Sequence, residues 1–147
     1  MKLGLLVNDV TTEQVGFTTT RLGCEAINQG HEVFVFGVGD LAYDSDEFVR
    51  ARARTVPKKS YGSHESYFKD LQGPKAVPAR ITVDDLDVLM LRNVPSDDFI
   101  KRPWATTTAT EFGRVAMRRG VIVLNDPNGL AKASSKIYLQ LFPEEVR

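Results

Sequence analysis

Arg92, Asn93 and Asn125 carry the side chains best placed to do chemistry, because each follows a short apolar run. Asp87-Val88-Leu89-Met90-Leu91 leads into Arg92-Asn93-Val94-Pro95-Ser96-Asp97-Asp98, and Val121-Ile122-Val123-Leu124 leads into Asn125-Asp126-Pro127-Asn128-Gly129. A guanidinium at such a position can take a substrate carboxylate through two parallel hydrogen bonds, with the Asn93 amide beside it. A solvated ion pair with Asp97 or Asp98 is the competing reading of Arg92. Asn8 and Asp9 end the first apolar run and belong to the same rim. They can hold a substrate amine, or start a turn by side-chain to backbone bonding.

The segment from Asn125 to Lys136 reads as strand end, turn, and a helix start at Ser134, Ser135 and Lys136. Free N–H groups at a helix start, with an ammonium beside them, favour phosphate. The alternative is an ordinary strand-to-helix turn with a serine cap and a solvated lysine. Neither G-x-x-x-x-G-K-[ST] nor G-x-G-x-x-G occurs, so a Walker-type phosphate loop and a dinucleotide fingerprint are excluded. His31 and His64 lack partners at metal-ligand spacing, so no metal site made by side chains alone is expected. No Ser-His-Asp or Cys-His set can be assembled, and Cys24 is expected to be packed within a helix.

These residues need elements that bring strand ends together. Leu3 to Val7 reads as a strand, Thr18 to Thr20 as the cap of a helix whose face is Leu22, Ala26 and Ile27 and whose stop is Gly30, and Val33 to Phe36 as a second strand. Strand, helix, strand makes a βαβ unit. Leu41 to Tyr43 and Phe48 to Val56 flank Asp44-Ser45-Asp46-Glu47, and the alternation of Val49, Ala51 and Ala53 with Arg50, Arg52 and Arg54 is a hairpin signal. That arginine face is a solvated, charge-guarded edge, an anion-binding strip, or a contact in a homo-oligomer. Pro57 to Arg80 reads as a long loop with a short helical turn at Tyr67, Phe68 and Leu71. Ala109, Phe112, Ala116 and Met117 then mark a helix that stops at Gly120, before the strand Val121 to Leu124. A last short helix carries Ile137, Leu141 and Phe142.

With 147 residues, 42% apolar and 26% charged, the chain is expected to form a single domain over 1–147 with a core of its own. Its apolar runs are too short to span a membrane, and no signal peptide is visible. One cysteine excludes a disulfide framework and leads to the expectation of a cytoplasmic setting. Net charge is zero, but residues 1–48 hold eight acids and two bases, whereas residues 49–147 hold eleven acids and seventeen bases. A moderate positive field suits a small anion; nucleic acid asks for stronger basic clustering, and no nucleic-acid partner is expected.

The pieces Gly4-Leu5-Leu6-Val7, Gly30-His31-Glu32, Gly39-Asp40-Leu41, Arg50 to Thr55, Asp85-Leu86-Asp87-Val88-Leu89-Met90-Leu91-Arg92, Val123-Leu124-Asn125-Asp126-Pro127 and Lys136 follow one another in a telling order. Together they resemble the amino-terminal portion of prokaryotic glutathione synthetase, over nearly the whole chain. The resemblance implies a pre-ATP-grasp, Rossmann-like α/β domain with a mainly parallel open sheet flanked by helices and a β-hairpin insertion. In that family an ATP-grasp module follows and supplies most ligands of ATP and Mg²⁺; no such module lies within these residues. The implied reaction phosphorylates the carboxylate of γ-glutamylcysteine, and glycine's amine then displaces phosphate.

By the same resemblance Lys136 matches a lysine that reaches the ATP phosphates, and Asn125 and Pro127 match the loop before it. Arg92 takes the Arg-x-x-Pro-Pro position at the substrate rim, with Asn8, Asp9, Asn93 and Asn125 around it. The chain departs from the family pattern at Pro95-Ser96, at Asn125-Asp126-Pro127 in place of Asn-Lys-Pro, and at Arg21, where an apolar residue is usual. The expected role is the substrate-side part of an ATP-dependent carboxylate–amine ligase acting on a small peptide or amino acid, inactive alone. The alternatives are another ligase of the group, a stand-alone binding or regulatory domain, and a small nucleotide binder.

Overall fold

Successive residues of the first strand enter different cores. In the computed structural model, which describes residues 1–133 and 135–146, β1 (Lys2–Val7) sends Leu5 and Val7 into one buried cluster and Leu6 into another. β2 (Glu32–Gly37) divides Val33 and Val35 from Phe36 in the same way. A strand that is apolar on both faces must be covered on both faces. α1 (Thr18–Asn28) and α2 (His64–Gln72) cover one side with Cys24, Ile27, Tyr67 and Leu71. α4 (Ala105–Arg118), reached from β6 (Val88–Leu91) through the single turn α3 (Pro95–Asp98), covers the other.

α4 lies close to the sheet because the residues it turns inward are small: Ala105, Ala109, Gly113 and Ala116 are buried. A Cβ on Gly113 would stand 3.1 Å from Leu91 Cδ1. Phe112 is half-buried against the core, and Met117 is exposed. Both α1 and α4 stop before a glycine in the left-handed region, Gly30 at φ 82° and Gly120 at φ 93°, where a side chain would be strained.

The sheet is mixed. β2, β1, β6 and β7 (Ile122–Leu124) lie side by side and parallel. Beyond β2 the chain turns antiparallel: β4 (Val49–Thr55) pairs along one edge with β2 and β3 (Leu41–Tyr43), and along the other with β5 (Val77–Thr82). The expected α/β architecture with a hairpin insertion is present, and its parallel character is confined to four strands.

Three local expectations change. Pro57 to Arg80 is not mainly loop: Ser63 caps α2 by accepting from Ser66 N, and β5 follows. Pro78 is tolerated because β5 is an edge strand, where a missing N–H costs no ladder bond. No threonine side chain caps α1; Phe17 occupies the N-cap without a side-chain bond, and Thr20 Oγ1 donates to Gln14 O. The helix after β7 is α5 (Pro127–Ala133), and its start is satisfied by Asp126, which accepts from Asn128 N and Gly129 N at 3.2 and 2.9 Å. Ser134 lies outside the described residues, and Ser135 precedes a 3₁₀ turn, Lys136–Leu141.

The hairpin is laced by charge. Arg50 bonds Asp44 and Asp46 at 2.8 and 2.6 Å, and Arg80 reaches Asp44 at 2.8 Å. The Phe48 ring lies 5.7 Å from the guanidinium of Arg50 and 5.5 Å from that of Arg119, which also donates to Glu47 O and so tethers the hairpin turn to the end of α4. Cys24 is buried and unpaired, as its helical setting led us to expect. No helix among the described residues is long and apolar enough to cross a membrane.

Candidate functional site

β1 and β6 are neighbours, yet the chain leaves them in opposite directions, β1 toward β2 and β6 toward β7. In open α/β sheets the crevice at the carboxyl ends of two such strands is the usual ligand site, because the connecting loops diverge there. A cleft of about 840 Å³ occupies that place. Its chemistry comes from Asn8, Asp9, Glu13, Arg92, Lys101 and Arg102.

Asn8 builds one wall. Its Oδ1 accepts from Val94 N at 2.7 Å, and its Nδ2 donates to Val94 O at 2.8 Å and to Asp98 Oδ2 at 2.7 Å. Asp98 is buried, and its other oxygen accepts from Arg102 Nε at 2.8 Å. Arg102 also donates from Nη2 to Asn8 O at 3.0 Å. The end of β1, α3 and the loop before α4 are thus one hydrogen-bonded unit.

Asp9 shapes the adjoining turn, accepting from Thr11 N at 2.8 Å and Thr11 Oγ1 at 2.7 Å. The Thr11 hydroxyl bond holds the Asp9 carboxyl below its ordinary range despite partial burial, with help from Thr11 N and from Arg102 and Arg54. Gly37, at the end of β2, lets the strands close up, since a Cβ there would stand 3.2 Å from both Asn8 O and Asp9 Cα.

In the same cleft the charges of Glu13 and Arg92 act on each other. Burial pushes the Glu13 carboxyl up, and the Arg92 charge pulls it partly back. Glu13 Oε2 and Arg92 Nε are buried without a hydrogen-bond partner, as is Asn93 Nδ2. Buried polar atoms left unpaired are costly in a finished fold, and a ligand is one thing that satisfies them.

Of the residues singled out in the sequence, Asn8, Asp9 and Arg92 line this cleft. Asn93 is half-buried beside Arg92. Asn125 is exposed at the end of β7, and Lys136 is exposed in the terminal 3₁₀ turn; neither lines the cleft. The suggested pairing of Arg92 with Asp98 does not form, because Arg102 already holds that carboxylate. Glu13, Lys101 and Arg102 were missed. The Asp98 to Arg102 spacing of four residues was the available signal for one of them.

As a nucleotide and magnesium site these residues are incomplete. The N–H groups at the start of α5 are taken by Asp126, Lys136 stands apart, and no group of three potential metal-ligating side chains occurs among the described residues. No step through ATP or Mg²⁺ is therefore assigned to them. What the cleft can do is hold a small molecule that carries both a carboxylate and an ammonium, Arg92 and Lys101 facing the first, Glu13 and Asp9 the second.

Comparison with known proteins agrees with the fold. The family model described as prokaryotic glutathione synthetase, N-terminal domain, matches residues 1–131. No curated protein gives a significant match to the chain.

Proposed function

Because this chain belongs to the family of prokaryotic glutathione synthetase N-terminal domains, we propose that it is the substrate-side part of an ATP-dependent carboxylate–amine ligase. The reaction of the complete enzyme is γ-glutamylcysteine, glycine and ATP to glutathione, ADP and phosphate. The observation that carries this reading is the coincidence of the family match with the cleft at the β1/β6 switch point, where Arg92 and Glu13 keep unpaired buried atoms.

In this proposal the dipeptide, which has two carboxylates and one ammonium, lies across the rim. Arg92 takes a carboxylate as a planar fork, with Asn93 at its side. Asp9, held ionised by Thr11, faces the ammonium. Asn8 positions both sides of the cleft through Val94 and Asp98 and does no chemistry itself. ATP with Mg²⁺ would supply the activation of the carboxylate; an ATP-grasp module would hold most of it, and Lys136 and Asn125 would be this chain's contribution. On this reading the chain alone is inactive and the setting is cytoplasmic.

Isothermal titration with γ-glutamylcysteine and with Mg-ATP tests the proposal, on this chain and on the chain joined to an ATP-grasp module. We expect weak or absent ATP binding by the chain alone, and binding by the joined form that falls with Lys136→Ala. Arg92→Gln should weaken the dipeptide by about tenfold, roughly 1.4 kcal/mol. Tight ATP binding by this chain alone would sink the ligase reading. Dipeptide binding that the joined module does not improve would favour a stand-alone binding domain instead.

A further inference from the structure

A second hollow, of about 510 Å³, opens on the other side of the Asn8–Asp9 rim, at the carboxyl ends of β1 and β2 and against the face of β4. Its walls are Gly37, Asp9, Asp40, Arg52, Arg54 and Arg102. Arg102 is already neutralised by Asp98 at 2.8 Å, which leaves the guanidinium groups of Arg52 and Arg54 against the carboxylates of Asp9 and Asp40.

The two carboxylates are half-committed. Asp40 accepts Gly37 N through Oδ2 at 3.0 Å and presents Oδ1 to Arg52 at 3.6 Å. Asp9 uses Oδ1 for Thr11 and presents Oδ2 to Arg102 at 4.0 Å. Each acid thus uses one oxygen to build its own turn and leaves the other in a long, weak contact. Arg52 and Arg54 are similarly underused: Arg54 donates from Nη1 to Gln72 Oε1 at 3.2 Å, and Arg52 is largely exposed.

Charged groups that converge on a cavity while only loosely engaging one another are free to exchange those contacts for a ligand's. The two arginines suit a ligand with a single carboxylate, and the nearby acids disfavour a phosphate dianion. The two uncommitted acid oxygens ask for a hydrogen-bond donor.

We propose that this hollow is a second binding site, for a small carboxylate whose neighbouring carbon bears a hydrogen-bond donor. Arg52 and Arg54 take the carboxylate as forks, and Asp9 or Asp40 accepts from the donor. The site adjoins the β1/β6 cleft across the Asn8–Asp9 rim, and it stands whether or not the ligase reading does. It shares Asp9 and Arg102 with that cleft, so the two ligands compete for the same rim groups.

The test is a titration of the ¹⁵N-labelled chain with L-lactate, followed at the Gly37 and Gly39 amides and the Arg54 Nε–H. Acetate, inorganic phosphate and sodium chloride at equal ionic strength serve as comparisons. Saturable shifts with lactate are expected, several-fold weaker with acetate and absent with phosphate and chloride. Arg54→Gln and Arg52→Gln should each weaken the lactate response by about tenfold, whereas Arg92→Gln should leave it unchanged. Arg52 is exposed enough that its loss leaves the fold intact, which the remaining amide signals report. Absent saturation, equal response to acetate or phosphate, or a response that survives both substitutions would each overturn the site.

Discussion

Asn8 grips Val94 with both ends of its amide, Oδ1 accepting from Val94 N at 2.7 Å and Nδ2 donating to Val94 O at 2.8 Å. A side chain thereby imitates a strand partner where the β1–β6 ladder has ended. Asn8→Ala removes this clamp and the bond to Asp98. The expected cost is about 2–3 kcal/mol in urea denaturation, with faster amide exchange confined to residues 94–98. An unchanged exchange pattern there would count against the clamp.

Glu13 supplies a prediction with a definite pH direction. Its carboxyl titrates above the ordinary range because burial outweighs the Arg92 charge. A raised folded-state pKa means stability that is fully present below the unfolded value and lost as pH rises through the folded one. Glu13→Gln should therefore be more stable than the parent at neutral pH, with the gap closing under acid. Denaturation curves at matched pH decide it; a gap that widens on acidification refutes the assignment.

The Asp46–Arg50 pair runs the opposite way. Hydrogen bonding to Arg50 brings the Asp46 carboxyl from 3.8 down to about 2. Its contribution is present above the unfolded value and disappears as pH falls through about 2. The pair is exposed, so salt should weaken it. Carbon-detected titration of the Asp46 carboxyl should find the low midpoint in the parent and an ordinary one in Arg50→Gln.

Gly23 sits inside α1, where alanine would gain about 1 kcal/mol of helix propensity. Its missing Cβ is what admits Tyr67: a methyl there would collide with the Tyr67 hydroxyl and lie 3.1 Å from Cζ. Tyr67 is 1% exposed and braced edge-on by Tyr61, so it has nowhere to retreat. Overpacking costs about 1–3 kcal/mol and should win, making Gly23→Ala destabilising by up to about 2 kcal/mol. Gly62→Ala, with no atom within 4 Å of the added methyl, is the control expected to be near neutral.

The parallel strands were readable because each is a short apolar run with a turn after it, and the two faces of β1 and β2 require just that. β5 was not, since Pro78 and the arginine within Val77–Thr82 argue against a strand unless it is known to lie at an edge. α5 carries its own signal, Asp126 before Pro127, a pattern that a turn shares with a cap and first helical residue. The rim residues Asn8, Asp9 and Arg92 could be found because strand ends announce them. Glu13 and Lys101 come from loops without periodicity, and only the fold brings them to the cleft; Arg102 had its four-residue spacing from Asp98 as its one signal.

The place of β1 between β2 and β6 also bears on the order in which the molecule takes shape. Leu3 pairs with Val33 on one side and with Val88 on the other. β1, made before both partners, thus cannot gain its second neighbour until residues 88–91 have left the ribosome. A growing chain can close the β1–β2 unit early, but one long edge of its central strand stays bare through the making of the whole hairpin region. That interval exposes an apolar strand edge, so aggregation during synthesis is a hazard this topology builds in.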